Sequence, residues 1–286
     1  MEKYSILSVD SNPDYLFFVP LACAFWRKLG YKPYVILVED QINKEVLDLI
    51  LEFSASADPH INFFKTIEGY RTCNVAQISR LYAAADPIFN EDDYLIVDDM
   101  DKLVIADDWF NQQDHSKDIH IYDPDELDFK RLKMGNIGMK TKVWKEVLEI
   151  QEDSLRGNLT RILEKYLSPD STWDDGWNLD EFILTNAVFK SKYYNSDNSQ
   201  FFCRGANQYG GRKGRICRSM WPQTFEMYMK DGLIDVHLHR DPWESQIWND
   251  TKTIVTKFLG LGQTLIFENF KNRFMALLDK RLVLGG

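Results

Sequence analysis

The first hundred residues alternate short apolar runs with amphipathic stretches. Ser5-Ile6-Leu7-Ser8-Val9 reads as a strand ending in the polar turn Asp10-Ser11-Asn12-Pro13. An amphipathic helix follows from Leu16 to Leu29, stopped by Gly30. Tyr34 to Val38 is a β-rich run, and Asn43 to Phe53 places Val46, Leu47, Ile50 and Leu51 on one helical face. Ile61 to Phe64 is a third strand, and Asn74 to Ala85 a helix carrying Arg80. Tyr94 to Val97 is a fourth strand, running into Asp98-Asp99-Met100-Asp101. Strands alternating with helices of this length predict a parallel sheet covered on both faces, with ligands bound at the carboxyl ends of its strands. Asp10 and the Asp98–Asp101 turn both fall at such ends.

The second half is less regular. Leu132 to Met139 reads as a strand interrupted by Gly135 and Gly138, followed by a helix from Thr141 to Ile150 and a polar one from Arg156 to Tyr166. A loop rich in Trp and Asp (168–178) leads into a helix from Leu179 to Phe189, opened by Asp180-Glu181. Residues 203–218 are rich in Gly and Arg, the composition of a mobile basic cover or of a flexible surface loop. No repeat or linker divides the chain.

Composition narrows the function classes. A chain of 286 residues buries a core without staples, and 44% hydrophobic with 27% charged residues excludes disorder. A net charge of −10 argues against a general nucleic-acid partner. Cys23, Cys73, Cys203 and Cys217 are scattered with no CxxC spacing, as reduced thiols are. No secretory leader and no run of about 18 apolar residues is evident, which predicts a cytoplasmic protein, in a bacterial, viral or host cytosol. From Thr251 onward six basic residues face two acidic ones, with Phe258, Phe267, Phe270 and Phe274 between them. Peripheral contact with anionic lipid and packing on the core or a partner subunit are both open for that tail. Aromatics make up 14% of the chain, including 8 Trp. Trp173, Trp177 and Phe182 lie among Asp174, Asp175, Asp180 and Glu181, a mixture that sugars stack on and hydrogen-bond to. Trp221 and Trp243 flank a second candidate segment, whereas Trp26, Trp109 and Trp144 read as ordinary core or helix residues.

Three acidic or histidine-bearing segments carry candidate chemistry. In an extended segment Asp99 and Asp101 would share one side, and two convergent carboxylates suit a hard divalent cation such as Mn²⁺ or Mg²⁺. Apolar residues resume at Leu103-Val104-Ile105, which pins the turn between buried segments. His237 and His239, two apart, would likewise share one side of a strand, so either is a candidate ligand, and Arg240 could hold phosphate. Asp180-Glu181 read either as first-turn acids complementing a helix dipole or as site carboxylates.

The stretches Ile78-Ser79-Arg80-Leu81-Tyr82-Ala83 and Asp93 to Val104 together resemble the core of nucleotide-sugar-dependent glycosyltransferases of the GT-A fold. The chain is most similar to the retaining branch that contains glycogenin and the bacterial lipooligosaccharide galactosyltransferases. Asp10-Ser11-Asn12, Met134-Gly135-Asn136-Ile137-Gly138 with Val143-Trp144, and Asp180 to Phe189 match further pieces of that pattern in order, over roughly residues 5–190. The resemblance implies a Rossmann-like α/β fold with a mixed, mostly parallel central sheet flanked by helices. It implies a catalytic domain over 1–250, with a nucleotide-binding half (1–110) and a donor-sugar and acceptor half (111–250), then a helical tail (251–286). It also implies a nucleoside-diphosphate sugar, of UDP by preference, as donor and a glycan, glycoprotein or glycolipid as acceptor.

Residue by residue, the resemblance makes Asp99 and Asp101 metal ligands, with His237 preferred over His239 as the third. Asp10, Ser11 and Asn12 would contact the base. Arg80 and Asp98 would contact ribose, phosphate or sugar, and Arg240 the diphosphate. Asp180 would bind donor hydroxyls. Glu181 stands where the glycogenin-like branch has Gln, while the blood-group-type transferases carry Asp-Glu there. A carboxylate at that place can attack or stabilise the anomeric carbon, or act as base in an inverting attack, so retention and inversion both stay open. The other readings are a non-catalytic carbohydrate-binding scaffold and, against the absence of a basic Gly-rich loop after the first strand, a sugar-phosphate nucleotidyltransferase.

Overall fold

Alternating apolar positions on the first strands divide the interior into two layers. On β1 (Lys3–Val9), Leu7 and Val9 belong to one layer and Ile6 to the other. On β2 (Lys32–Glu39), Val35 and Leu37 join the first layer, and Tyr34, Ile36 and Val38 the second. This period of two is what a sheet buried on both faces requires. The computed structural model describes residues 1–39, 43–123, 132, 136–151, 154–168, 176, 178–195, 197–209 and 211–284, with side chains to 279.

The central sheet has seven strands in the order β3-β2-β1-β4-β7-β6-β8. Here β3 is His60–Lys65, β4 Tyr94–Val97, β6 Ile119–Tyr122, β7 Ile137–Lys140 and β8 Ser199–Phe202. The first four run parallel, β7 runs antiparallel to β4 and β6, and β8 is parallel to β6. A three-stranded sheet, β5 (Lys102–Val104), β10 (Asp235–His237) and β9 (Arg215–Ile216), stands beside it with β10 in the middle. The fold is thus mixed α/β with a mostly parallel central sheet, as expected.

The first layer packs under the helices Val19–Lys28, Lys44–Ser54, Ser245–Leu259 and Leu261–Leu284. Phe267, Phe270 and Phe274 of the last helix are buried, and Phe270 lies 5.3 Å from each of the Phe17 and Phe53 rings, centroid to centroid. Ion pairs of Lys252 with Glu268 and of Arg273 with Glu52 offset part of the tail's positive charge. No helix among the described residues is long and apolar enough to cross a membrane. The second layer holds the helices Thr72–Ser79, Thr141–Val147, Leu155–Tyr166 and Leu179–Lys190. Trp144 is buried there, and its indole donates to the Leu95 carbonyl at 3.0 Å.

Several elements depart from the sequence expectation. The helix expected over 16–29 is two pieces, Pro13–Leu16 and Val19–Lys28. Asn12 caps the first by accepting from the Asp14 amide, and Pro20, lacking a donor, sits in the first turn of the second, where none is needed. The helix expected to reach Ala85 ends at Ser79 and tightens into a 3-10 turn, Arg80–Ala85. Of the strand expected over 132–139, only Ile137–Lys140 is a strand, and residues 133–135 lie outside the described set. The helical tail begins at Ser245, ahead of the expected boundary at 251.

Gly138 on β7 lies directly beneath the ring of Tyr94, where a Cβ would collide with the phenol. Gly138→Ala is therefore expected to cost about 1–3 kcal/mol through overpacking. Urea denaturation checks this, and a midpoint equal to the wild type's would contradict the close approach.

Candidate active site

The sheet order reverses beside β1, so the carboxyl ends of β1 and β4 are neighbours that open a crevice. A cleft of about 870 Å³ lies there. Asp10, Asn12, Arg80, Asp99, Asp101, Asp180, Glu181, His237 and Arg240 all reach it, so most of the residues singled out in the sequence meet in one place. Asp10 accepts the Asn12 amide at 3.1 Å and the Thr72 hydroxyl at 3.3 Å, which fixes the turn after β1.

One buried guanidinium ties the acidic side together. Arg80 places Nη1 2.7 Å from Asp99 Oδ1 and Nη2 2.6 Å from Asp180 Oδ2. Nη1 also donates to the Asp98 carbonyl at 3.0 Å. Arg80 lines the cleft while its two terminal nitrogens also hold Asp99, Asp180 and the Asp98 carbonyl. Asn178 takes the left-handed region at φ 69° to start the helix Leu179–Lys190, a turn Asn tolerates. Asp180 then accepts the Glu181 amide at 2.8 Å, and Glu181 faces the cleft.

Asp98 lies outside the cleft lining. Its side chain is buried rather than aimed at a ligand, and it pairs with the Lys102 ammonium at 2.5 Å. Burial pushes its pKa up to about 6, with Lys102 opposing and Asp99 adding to the rise. Lys102 also donates to the Asn136 side chain. Ser11 lies outside the cleft lining.

The opposite wall is basic. Arg212, Arg215 and Arg218 come from the Gly/Arg-rich segment, which ends in β9 and the turn Arg218–Met220. Asp235 of β10 anchors it, taking Arg215 through two bonds of 2.7 and 2.8 Å and Arg204 at 2.7 Å. Burial raises the Asp235 pKa, but Arg204 and Arg215 more than reverse this and hold it well below the usual carboxylate range. Arg204 also pairs with Asp123, whose carbonyl accepts from Arg212 at 3.0 Å. Burial and the neighbouring Arg215 lower the Arg212 pKa, while Asp123, 3.8 Å from Nη1, opposes them. The segment is held down by ion pairs in this state, not free over the cleft.

The expected metal ligands are only partly convergent. Asp98 to Asp101 form a turn rather than an extended run, so Asp99 turns to Arg80 while Asp101 turns to β10. Asp101 Oδ2 and His237 Nε2 lie 3.5 Å apart. Burial raises the Asp101 pKa, but His237 and Arg218 outweigh it and hold the carboxyl below its ordinary range. Among the described residues no group of three His, Cys, Asp or Glu is placed to hold an ion. Carboxylate oxygens and an imidazole nitrogen are nevertheless the right donor chemistry for Mn²⁺ or Mg²⁺. The seat between Asp101 and His237 is shared with Arg218, whose Nη1 is 3.1 Å from Asp101 and Nη2 2.6 Å from His237. His239 is not part of it. The strand ends at His237, so alternation no longer applies, and the His239 ring packs at 5.1 Å on the buried Trp221.

The aromatic expectation is largely unmet among the described residues, where Tyr15 is the aromatic side chain lining the cleft. Trp221 is a core residue donating to Asp250 at 2.8 Å, and Trp243 packs on Phe17. Phe182 is exposed and does not line the cleft. Trp173, Asp174, Asp175, Trp177, Met134 and Gly135 lie outside the described residues. Arg218, Asp123 and Tyr15 are the site residues that sequence reasoning missed. For Arg218 the signal was the arginine density of 203–218, with nothing to say which arginine faces the acids.

No family model matches the chain, and no curated protein matches it. Among solved structures the chain is similar to the galactosyltransferase LgtC in complex with donor and acceptor sugar analogues, at 12% identity over 87% of this chain and 94% of that one, with a TM-score of 0.45. It is similar to the glycosyltransferase GlyE of Streptococcus pneumoniae TIGR4 at 15% identity, over 94% of this chain and 63% of that one, with a TM-score of 0.49. A third similar structure is a mutant Drosophila β1,4-galactosyltransferase 7 with manganese, UDP-Gal and xylobiose, at 16% identity over 60% of this chain and 67% of that one, with a TM-score of 0.31.

Replacing Asp235 with Ala strands the Arg215 guanidinium and takes from Arg204 one of its two acids, and is expected to destabilise the protein by about 3–5 kcal/mol. Limited proteolysis should then cut first within 203–218. Equal resistance in the variant would show that the ion pairs do not anchor that segment.

Proposed function

We propose that this cleft transfers a sugar from a nucleoside-diphosphate sugar, UDP being the favoured nucleotide, to a hydroxyl of a glycan or lipid-linked acceptor. The observation that carries the reading is the cleft's division into an acidic floor, tied by Arg80, and a facing basic wall at a strand-end crevice. A diphosphate needs cations, and sugar hydroxyls need carboxylates that accept hydrogen bonds. Both lie within reach of one bound molecule.

In this reading Asp10 and Asn12 hold the base, and Arg212, Arg215 and Arg240 take the diphosphate. Asp180, oriented by Arg80, receives donor hydroxyls beside Glu181. As the bond from the anomeric carbon to the diphosphate oxygen breaks, its electron pair leaves with the diphosphate. The Glu181 carboxylate stabilises the positive charge on that carbon. The acceptor oxygen bonds to the carbon and gives up its proton. Retention is the reading taken here, with the leaving diphosphate available to receive that proton. A divalent ion on Asp99, Asp101 and His237 would supply neutralisation of the leaving diphosphate's charge.

Two measurements test this. A 100-fold excess of UDP over its Kd, with Mn²⁺ present, should stabilise the fold by about 2.7 kcal/mol. Glu181→Gln should keep that stabilisation while sugar release from a panel of UDP-sugars falls about 100-fold or more. No stabilisation by any nucleoside diphosphate would favour a non-catalytic scaffold. An undiminished rate in Glu181→Gln would remove Glu181 from the chemistry.

A further inference from the structure

Three groups meet where the sequence pointed to two. Arg218 opens the short turn after β9 with its side chain 24% exposed, and its guanidinium spans Asp101 and His237. Arginine carries donors only, so His237 Nε2, 2.6 Å from Nη2, must present its lone pair there. That lone pair and Asp101 Oδ2 are the same two atoms through which His237 and Asp101 would ligate an ion. Arg218 Nη1 is buried and close to Asp101, yet makes no hydrogen bond. The guanidinium thus balances charge at this seat without being fully satisfied by it.

We propose that Arg218 is a displaceable counter-cation. In the free protein it occupies the Asp101–His237 seat, and a divalent ion must evict it to bind. A guanidinium and a divalent cation cannot share two atoms 3.5 Å apart, because like charges at that separation repel strongly in a part-buried site. Once evicted, Arg218 still lines the cleft on the same wall as Arg212 and Arg215, where its fork matches phosphate oxygens. The ion and the diphosphate then favour each other, since each stabilises the arrangement in which Arg218 has left the acid. Reciprocity of binding free energies makes that coupling measurable from either side. The diphosphate's share rests on the functional reading above, whereas the competition between Arg218 and the ion does not.

The test is a Mn²⁺ titration, following free ion by electron paramagnetic resonance, without and with saturating UDP. Wild type, Arg218→Gln, Arg218→Lys and Asp101→Asn are compared, with circular dichroism to establish that each is folded. Arg218→Gln without UDP should bind Mn²⁺ about tenfold more tightly than wild type, within the usual range of coupling between sites. UDP should tighten Mn²⁺ in wild type and do so less in Arg218→Gln. Arg218→Lys should stay near wild type, and Asp101→Asn should lose the site. Mn²⁺ affinity in Arg218→Gln that is equal to or weaker than wild type overturns the proposal. If UDP binds but no variant takes Mn²⁺, Arg218 is a fixed substitute for the ion, and the competition is refuted while the nucleotide reading stands. If UDP does not bind yet Arg218→Gln gains Mn²⁺, the competition stands and the nucleotide reading falls.

Discussion

The guanidinium of Arg80 is the interaction on which the cleft depends. Its side chain is 7% exposed and faces two carboxylates, one on the turn after β4 and one on the helix Leu179–Lys190. Burying Arg80 and Asp180 is expensive unless their geometry is good, and losing the cation would leave Asp180 buried without its partner. The backbone makes the geometry possible. The helix Thr72–Ser79 tightens to a 3-10 turn at Arg80, and the Asp98 carbonyl accepts from the same Nη1 that meets Asp99. Two segments far apart in the chain are thereby held in register, and Glu181 is carried along.

A second buried node, Asp235 with Arg204 and Arg215, does the same for the opposite wall with the signs exchanged. Around Arg80 two acids share one base, which leaves a net negative charge beside Asp99 and Asp180. Around Asp235 the charges balance more closely, because Arg204 also pairs with Asp123, and the positive charge lining the cleft comes from Arg212, Arg215, Arg218 and Arg240. The small sheet matters because β10 joins β5, which continues from Asp101, to β9, which carries Arg215.

Much of this was legible in the sequence because strand and helix alternation alone places the ends of β1 and β4 side by side. That brought Asp10, Asn12, Asp99 and Asp101 together, and the acid pair opening the Leu179 helix joined them. What failed was side-chain direction. Period-two reasoning put Asp99 and Asp101 on one side, but they occupy a turn, and their neighbours Arg80 and His237 pull them apart. The same rule put His239 beside His237, but the strand stops at His237, two residues short of it. Asp98 looked like a third site acid and is instead the buried partner of Lys102, a pairing no local pattern announces. The short strands β6 and β8 were also missed, since four residues give too little periodicity to read.

Asp101 shows why such a cleft would carry its own counter-charge. Its side chain is 6% exposed, and burial alone favours the protonated acid. A protonated Asp101 would be a poor ligand for any cation, because the proton must leave first. The Arg218 guanidinium, 3.1 Å from the carboxylate, opposes that tendency by its charge. Keeping the acid ready therefore requires a cation nearby, and any cation nearby competes with what the acid would bind. A part-buried arginine on a short turn at the cleft lining meets both demands, since it holds the charge and is not enclosed by the core.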